Sequence, residues 1–208
     1  MALKTKIIRV DSINPDKKKI EEAASIIRNN GIVAFPTETV YGLGVLLDNA
    51  EGLMKLYKIK SRAKNKPFTV HISKIEAIHD LNCEMPHLAT VIIKKFWPGP
   101  LTIILDTKDK TKTMAFRMPD CIVAKYLIDF CKKPIVAPSA NLSGKKPSKN
   151  VQEVLEDLDG KIDAVIDTGE TKLGQESTIM DVTSFPYKVL REGAISKVKI
   201  QESWHTLK

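Results

Sequence analysis

The stretch Ile32-Val33-Ala34-Phe35-Pro36-Thr37-Glu38-Thr39-Val40-Tyr41-Gly42-Leu43-Gly44 decides how the chain is read. Four apolar residues stop at a proline, so residues 32–35 read as a buried strand that ends there. The polar residues after it, closed by two glycines, read as a loop presenting hydroxyls and backbone amides, with the glycines serving its turn. Sixteen residues after Gly44 comes Lys60, inside a run where Lys58, Lys60, Arg62, Lys64 and Lys66 occupy alternate positions. Hydroxyls and backbone donors beside concentrated positive charge suit an anionic ligand.

Working outward, residues 6–10 read as a strand. A helix follows, with Asn14 as N-cap, Pro15 at its first position, Ile20, Ala23, Ala24 and Ile27 on one face, and Gly31 as C-cap. Beyond the loop, a helix starts near Asn49 and carries Leu53, Leu56 and Tyr57. Residues 67–72 read as a strand, and Ser73 with Glu76 reads as a capping box for a helix toward Leu81. A helix over 86–96 breaks at Trp97-Pro98-Gly99-Pro100; strands follow at 101–105 and 113–117, then a helix over 122–130. A short strand at 135–138, a helix opened by Asn150 and Glu153, and strands at 164–167, 178–182 and 187–191 complete the set. Strands separated by helices, together with apparent direct hairpins, predict one α/β domain over 1–208 built on a mixed sheet. Its core covers about 20–194, with a short extension at 195–208. No internal repeat and no Gly/Ser linker divides the chain.

The chain has 208 residues, is 43% hydrophobic and carries a net charge of +8. No apolar run approaches the roughly 18 residues that span a bilayer, and residues 1–6 do not read as a signal peptide. Cys83, Cys121 and Cys131 are an odd set without a C-x-x-C pair, which argues against a disulfide framework or zinc site and for a reducing cytoplasm. The basic balance favours phosphate-bearing partners, nucleotides or RNA. An aromatic content of 6% counts against a base-stacking platform but not against duplex RNA.

In a strand, the alternating cations would share one face at ~6.6 Å spacing. Each neighbouring pair would then repel by roughly 0.6–2.5 kcal/mol, tolerable on a solvated surface and relieved by an anion in an enclosed site. Ser139, Asn141 and Ser143 follow a strand and offer phosphate or carboxylate contacts, or else cap their own turn. Ser177-Thr178 has the same two readings. Arg117 and Arg191 stand at strand ends, placed for bidentate contact with an anion or for a structural ion pair. No phosphate loop of the G-x-x-x-x-G-K-[ST] type and no G-x-G-x-x-G is present, and His71, His79, His87 and His205 lack metal-ligand spacing. Chemistry on such a chain runs by positioning and electrostatic stabilisation of phosphates.

Taken together, these segments resemble the YrdC family of threonylcarbamoyl-AMP synthases. The motifs that carry the resemblance are residues 36–44, Lys60-Ser61-Arg62, His71, Trp97-Pro98-Gly99-Pro100-Leu101-Thr102, Thr113 with Arg117, residues 139–144, Ser177-Thr178-Ile179 and Arg191-Glu192-Gly193, in the family's order. The resemblance implies a twisted α/β sheet with flanking helices around a basic concave face. It implies a nucleotidyltransferase that makes threonylcarbamoyl-AMP and pyrophosphate from L-threonine, bicarbonate or CO2, and ATP with Mg2+. The product would supply a tRNA threonylcarbamoyl transferase complex, and RNA or tRNA is a possible partner. Thr37, His71, Arg117, Ser139 and Ser177 would bind threonine or its carbamate. Lys60, Arg62, Lys66, Thr113, Asn141, Ser148 and Arg191 would bind ATP, with Lys60 and Arg62 catalytic and no protein-held metal. Ala63 stands where the family commonly has proline and Lys66 where many members have asparagine. The chain looks like the family's single-domain form. An RNA-binding module without turnover is the alternative from another class, and the carbamoyl-adenylate activity of hydrogenase-maturation carbamoyltransferases a third possibility.

Overall fold

The computed structural model of the protein describes residues 4–61 and 67–205. Among them ten strands form one mixed sheet: β1 (Lys6–Arg9), β2 (Val33–Phe35), β3 (Gly42–Leu46), β4 (Val70–His71), β5 (Leu101–Asp106), β6 (Thr113–Arg117), β7 (Ile135–Val136), β8 (Ala164–Asp167), β9 (Thr178–Asp181) and β10 (Lys188–Arg191). Their order across the sheet is β1-β8-β2-β3-β7-β4-β6-β5-β9-β10. β8 lies parallel between β1 and β2, while β3 runs antiparallel to both β2 and β7. The pairs β4/β6 and β5/β9 are parallel; β6/β5 and β9/β10 are antiparallel.

Among the described residues seven helices flank the sheet: α1 (Lys17–Arg28), α2 (Ala50–Ile59), α3 (Glu76–Asp80), α4 (His87–Phe96), α5 (Ile122–Cys131), α6 (Val151–Leu158) and α7 (Lys197–His205). Strand alternation divides the apolar residues between two layers. Val33 and Phe35 point into a layer with Ile20 and Ile27 of α1 and Leu127 of α5. Ile32 and Ala34 point the other way, with Leu56 of α2, Ile92 of α4 and Val154 of α6. A sheet buried on both faces explains why its central strands read as continuous apolar runs.

The expected α/β class holds, but several local expectations do not. Gly42 and Gly44 do not form a turn: they lie inside β3, wholly buried and paired with Phe35 and Val33. A Cβ on Gly44 would meet the Phe35 ring at 3.2 Å and Ile27 Cδ1 at 3.3 Å. These glycines make room for an aromatic ring and for α1, and the loop is confined to 36–41.

The N-cap of α1 is Asp16, whose carboxylate accepts from Lys18 N, and not Asn14. Asn14 N–H donates to Asp11 Oδ1, three residues earlier in the same loop. The left-handed residue after α1 is Asn30, and Gly31 N–H bonds back to Ile26 O. Ser73 and Glu76 form no capping box, since α3 starts after Ile75 without a side-chain cap. Asn150 does cap α6, accepting from Glu153 N at 2.9 Å, while the Glu153 carboxylate takes Lys149 N. The strand expected over 67–72 shortens to Val70–His71.

Lys58 and Lys60 do not share a strand face. Lys58 lies in α2 and Lys60 caps its C-terminus, so two residues of separation places them on nearly opposite sides. Arg62, Lys64 and Lys66 lie outside the described residues. The extension after 195 carries α7, which packs on α4 and buries Ile200 completely. Cys83, Cys121 and Cys131 are unpaired. No helix among the described residues is long and apolar enough to cross a membrane.

Candidate active site

Where β3, β7, β4, β6, β5 and β9 lie side by side, loops at their ends enclose a cleft of about 280 Å³. Its walls include Thr37, Tyr41, Lys60, His71, Thr102, Arg117, Ser139, Asn141, Ser177 and Arg191. Polar groups dominate this surface, although the core begins directly beneath it.

Thr37 fixes the loop between β2 and β3. Its buried hydroxyl donates to Val40 O at 2.7 Å and lies 3.2 and 3.3 Å from the Thr39 and Val40 amides. That local closure forms a rigid turn of the type hydroxyl side chains favour. Tyr41 N–H then bonds to Ser148 O, and its phenol donates to Gly169 O at 2.9 Å.

Lys60, at the end of α2, is 5% exposed. Its ammonium donates to Ser139 O (2.8 Å), Asn141 O (2.5 Å) and Asn141 Oδ1 (2.9 Å). The acceptors are neutral, so the positive charge is held at the cleft without a carboxylate among these three partners. Asn141 Nδ2 donates in turn to Leu142 O and Lys145 O, which closes the loop after β7 on itself.

His71 of β4 is buried, and its pKa falls from 6.5 to about 3, chiefly through loss of hydration and secondarily through the nearby Arg117 charge. Its Nδ1 lies 3.4 Å from Thr69 O. A neutral ring with Nδ1–H toward that carbonyl keeps Nε2 as an acceptor.

Arg117, at the end of β6, is 5% exposed. Its Nη2 lies 2.9 Å from Oε1 of Glu38, which is equally buried. The contact is not aligned as a hydrogen bond: Nε and Nη2 of Arg117 and both Glu38 oxygens are buried without hydrogen-bond partners. Arg117 reaches the cleft wall, whereas Glu38 stands behind it.

On the other side, the Ser177 and Thr102 hydroxyls meet at 2.8 Å. Arg191 grips the same segment, with Nε and Nη2 on Ser177 O and Nη1 2.8 Å from Glu176 Oε1. Arg117 and Arg191 on the wall each face a carboxylate, and the charge there is less one-sided than the lysine run suggests.

The structure thus gathers Thr37, Lys60, His71, Arg117, Ser139, Asn141, Ser177 and Arg191 around one hollow. Ser148 is buried off the cleft wall, its hydroxyl bonded to Ala140 O at 2.6 Å. Thr113 opens onto an adjoining hollow of about 120 Å³ with Leu53, Tyr57 and Phe68. Arg62 and Lys66 lie outside the described residues. Glu38 and Thr102 were not among the expected site residues. Thr102 follows the conspicuous Trp97-to-Leu101 segment, and Glu38 is the one charge in an otherwise uncharged loop; both were available as signals.

Among the described residues no three His, Cys, Asp or Glu side chains group to hold a metal ion. Glu38 and Glu176 are each occupied by an arginine. These residues do not fit a resident Mg2+, and a cation on the nucleotide's own phosphates would enter as part of the substrate.

Comparison with known proteins gives a consistent family. The Sua5–YciO–YrdC profile, described as "Telomere recombination", matches residues 25–193. A threonylcarbamoyl-AMP synthase of Bacillus subtilis is 40% identical over 92% of this chain and 58% of its own length. A putative threonylcarbamoyl-AMP synthase of Methanocaldococcus jannaschii is 34% identical over 96% of this chain and 99% of its own. The crystal structure of P. abyssi Sua5 complexed with L-threonine superposes with a TM-score of 0.91 at 39% identity, over 96% of this chain and 61% of that one. The chain therefore spans less than two thirds of the Bacillus and P. abyssi proteins. On sequence and on fold, the chain belongs to the Sua5–YciO–YrdC family.

Proposed function

We propose that the cleft makes threonylcarbamoyl-AMP and pyrophosphate from L-threonine, bicarbonate or CO2, and ATP. The observation that carries this reading is Arg117: a guanidinium on the cleft wall, beside a neutral histidine and sharing that wall with Thr37, Ser139 and Ser177. An arginine on the wall of a cleft suits a ligand carboxylate. The names of the relatives, and the threonine complex of the P. abyssi protein, support threonine as that ligand.

In this reading the threonine carboxylate sits on Arg117. Thr37 and Ser177 present hydroxyls to the amino acid, and His71 Nε2 accepts from its hydroxyl or amine. The amine, once neutral, attacks the carbon of CO2 and releases a proton to solvent. A carbamate oxygen then attacks the α-phosphorus of ATP, the bond to the β-phosphate breaks, and pyrophosphate leaves. Lys60, Arg191 and, beyond the described residues, Arg62 and Lys66 offset the charge on the phosphates. Mg2+ carried by the nucleotide would screen the same phosphates. The adenylate then serves a separate transferase that acts on tRNA.

The test is direct. Purified protein with L-threonine, bicarbonate and ATP with Mg2+ should release pyrophosphate only when threonine is present, and the adenylate should be seen by mass spectrometry. Salt-sensitive RNA binding with neither product would replace this reading by that of an RNA-binding module.

A further inference from the structure

We infer that Asp157, which is not part of the cleft wall, is the positioning residue for the cleft's nucleotide side. It lies in the last turn of α6, on the face that Val151, Val154 and Leu158 bury, and is 7% exposed. Both features count against an acid there. The position is covered, and the C-terminal end of a helix disfavours negative charge. No basic residue stands in that last turn to offset it. Lys161 serves the helix end through the Asp157 carbonyl, so the carboxylate is left for the loop after β7.

Asp157 Oδ2 accepts from Leu142 N–H at 3.0 Å, and Oδ1 accepts from the Lys145 ammonium at 2.5 Å. The carbonyls of the same two residues accept from Asn141 Nδ2, at 3.0 and 2.6 Å. With its amide nitrogen so engaged, Asn141 turns Oδ1 the other way, onto the Lys60 ammonium at 2.9 Å. One carboxylate thus sets a side-chain amide, and the amide sets a cation on the cleft wall.

The groups proposed for threonine are anchored by other means. Ser139 is bridged to Gly42 of β3, and Ala140 N–H donates to Tyr41 O. Thr37 closes on its own loop, His71 and Arg117 are register partners in the β4/β6 pair, and Ser177 meets Thr102. Releasing Asp157 therefore loosens residues 141–145 and the hold on Lys60, and leaves the amino-acid side in place. The inference deepens the proposed function and rests on it for one point, that Lys60 meets the phosphates of ATP.

Isothermal titration of the intact protein with ATP–Mg2+ and, separately, with L-threonine tests the inference. Asp157→Asn keeps one acceptor but loses the charge that holds Lys145; it should weaken ATP binding by roughly tenfold. Threonine affinity should stay within about twofold of the parent, because its contacts are not coupled to the loop. Asp157→Leu completes the apolar face of α6 and removes both acceptors, so it should show the same split in larger measure. In an Asn141→Ala background, Asp157→Asn should weaken ATP binding clearly less than it does alone.

Equal losses for the two ligands, unchanged ATP affinity in either folded variant, or full additivity with Asn141→Ala overturns the inference. Loss of the fold in both variants assigns the carboxylate to stability and overturns it too. The expected split without adenylate formation by the unaltered protein defeats only the proposed reaction. Adenylate formation with no split defeats only this inference. Failure of the unaltered protein to bind ATP overturns both.

Discussion

Lys60 and Asn141 are joined twice: the ammonium of Lys60 reaches both the carbonyl and the side-chain oxygen of Asn141, at 2.5 and 2.9 Å. The end of α2 is thereby pinned to the loop after β7, and one buried charge serves both folding and the cleft. Lys60→Met should lower stability by about 1–3 kcal/mol, because buried carbonyls lose their donor. It should also reduce threonine-dependent pyrophosphate release by roughly 100-fold. Urea denaturation and a pyrophosphate assay check the two effects separately; full activity in a destabilised variant would remove Lys60 from the reaction.

His71 makes stability depend on pH in a defined direction. Its folded pKa, about 3, lies below its ordinary 6.5, so the unfolded chain binds the extra proton first. The stability that comes from a neutral His71 is present above pH 6.5 and is lost as pH falls toward 3. The slope reaches up to ~1.4 kcal/mol per pH unit inside that window. Denaturation midpoints at pH 7 and pH 5 should differ accordingly, and His71→Asn should flatten the dependence. A variant as pH-sensitive as the parent would show that other groups carry it.

Removing one member of the Glu38–Arg117 pair should be worse than removing both charges. Arg117→Met leaves a buried carboxylate with its counter-charge gone and should destabilise by ~3–5 kcal/mol. Glu38→Gln with Arg117→Met should cost clearly less than the sum of the single changes. A double-mutant cycle read by chemical denaturation gives the coupling, and strict additivity would contradict the contact.

Gly193 touches the cleft wall through its backbone. An added Cβ would stand 2.2 Å from Glu176 O and 2.6 Å from the carbonyl carbon of Ser177. Neither backbone atom can move without shifting the segment that Arg191 grips. Gly193→Ala should lower stability by about 1–3 kcal/mol and weaken nucleotide binding with it. Thermal unfolding and nucleotide titration measure both; an unperturbed variant would mean that this wall yields easily.

What the sequence made legible follows the range of the forces involved. Asn150 was legible as a helix opener, and the helix start near Asn49 was too; in each case the amide that the asparagine accepts from lies three residues away. The bounds of β6 came from its β-branched start, its apolar run and its arginine end. β3 was hidden because Gly-Leu-Gly has the composition of a turn, and only the ring of Phe35 shows what the missing side chains are for. Asn14 and Asp16 are equally good caps in isolation; the helix starts at Lys17, and Asp16 accepts from Lys18 N. At the site, residue types offered Arg117 either an anion or a structural ion pair, but could not show that its partner is Glu38. Likewise, Lys60 was expected as a cation for phosphate, but its bonds to the Ser139 and Asn141 oxygens were not legible.

The cleft has no local precursor. Tyr41 on one wall bonds to Gly169 across 128 residues, and Lys60 to Asn141 across 81. Arg191, which holds Ser177 in place, belongs to the final strand. A chain emerging from the ribosome therefore gains no receptor by halves and can hold ligand only after Arg191 is free to pair. From then on ligand acts as a latch on distant segments at once: at a hundredfold excess over Kd it adds about 2.7 kcal/mol to the unfolding free energy.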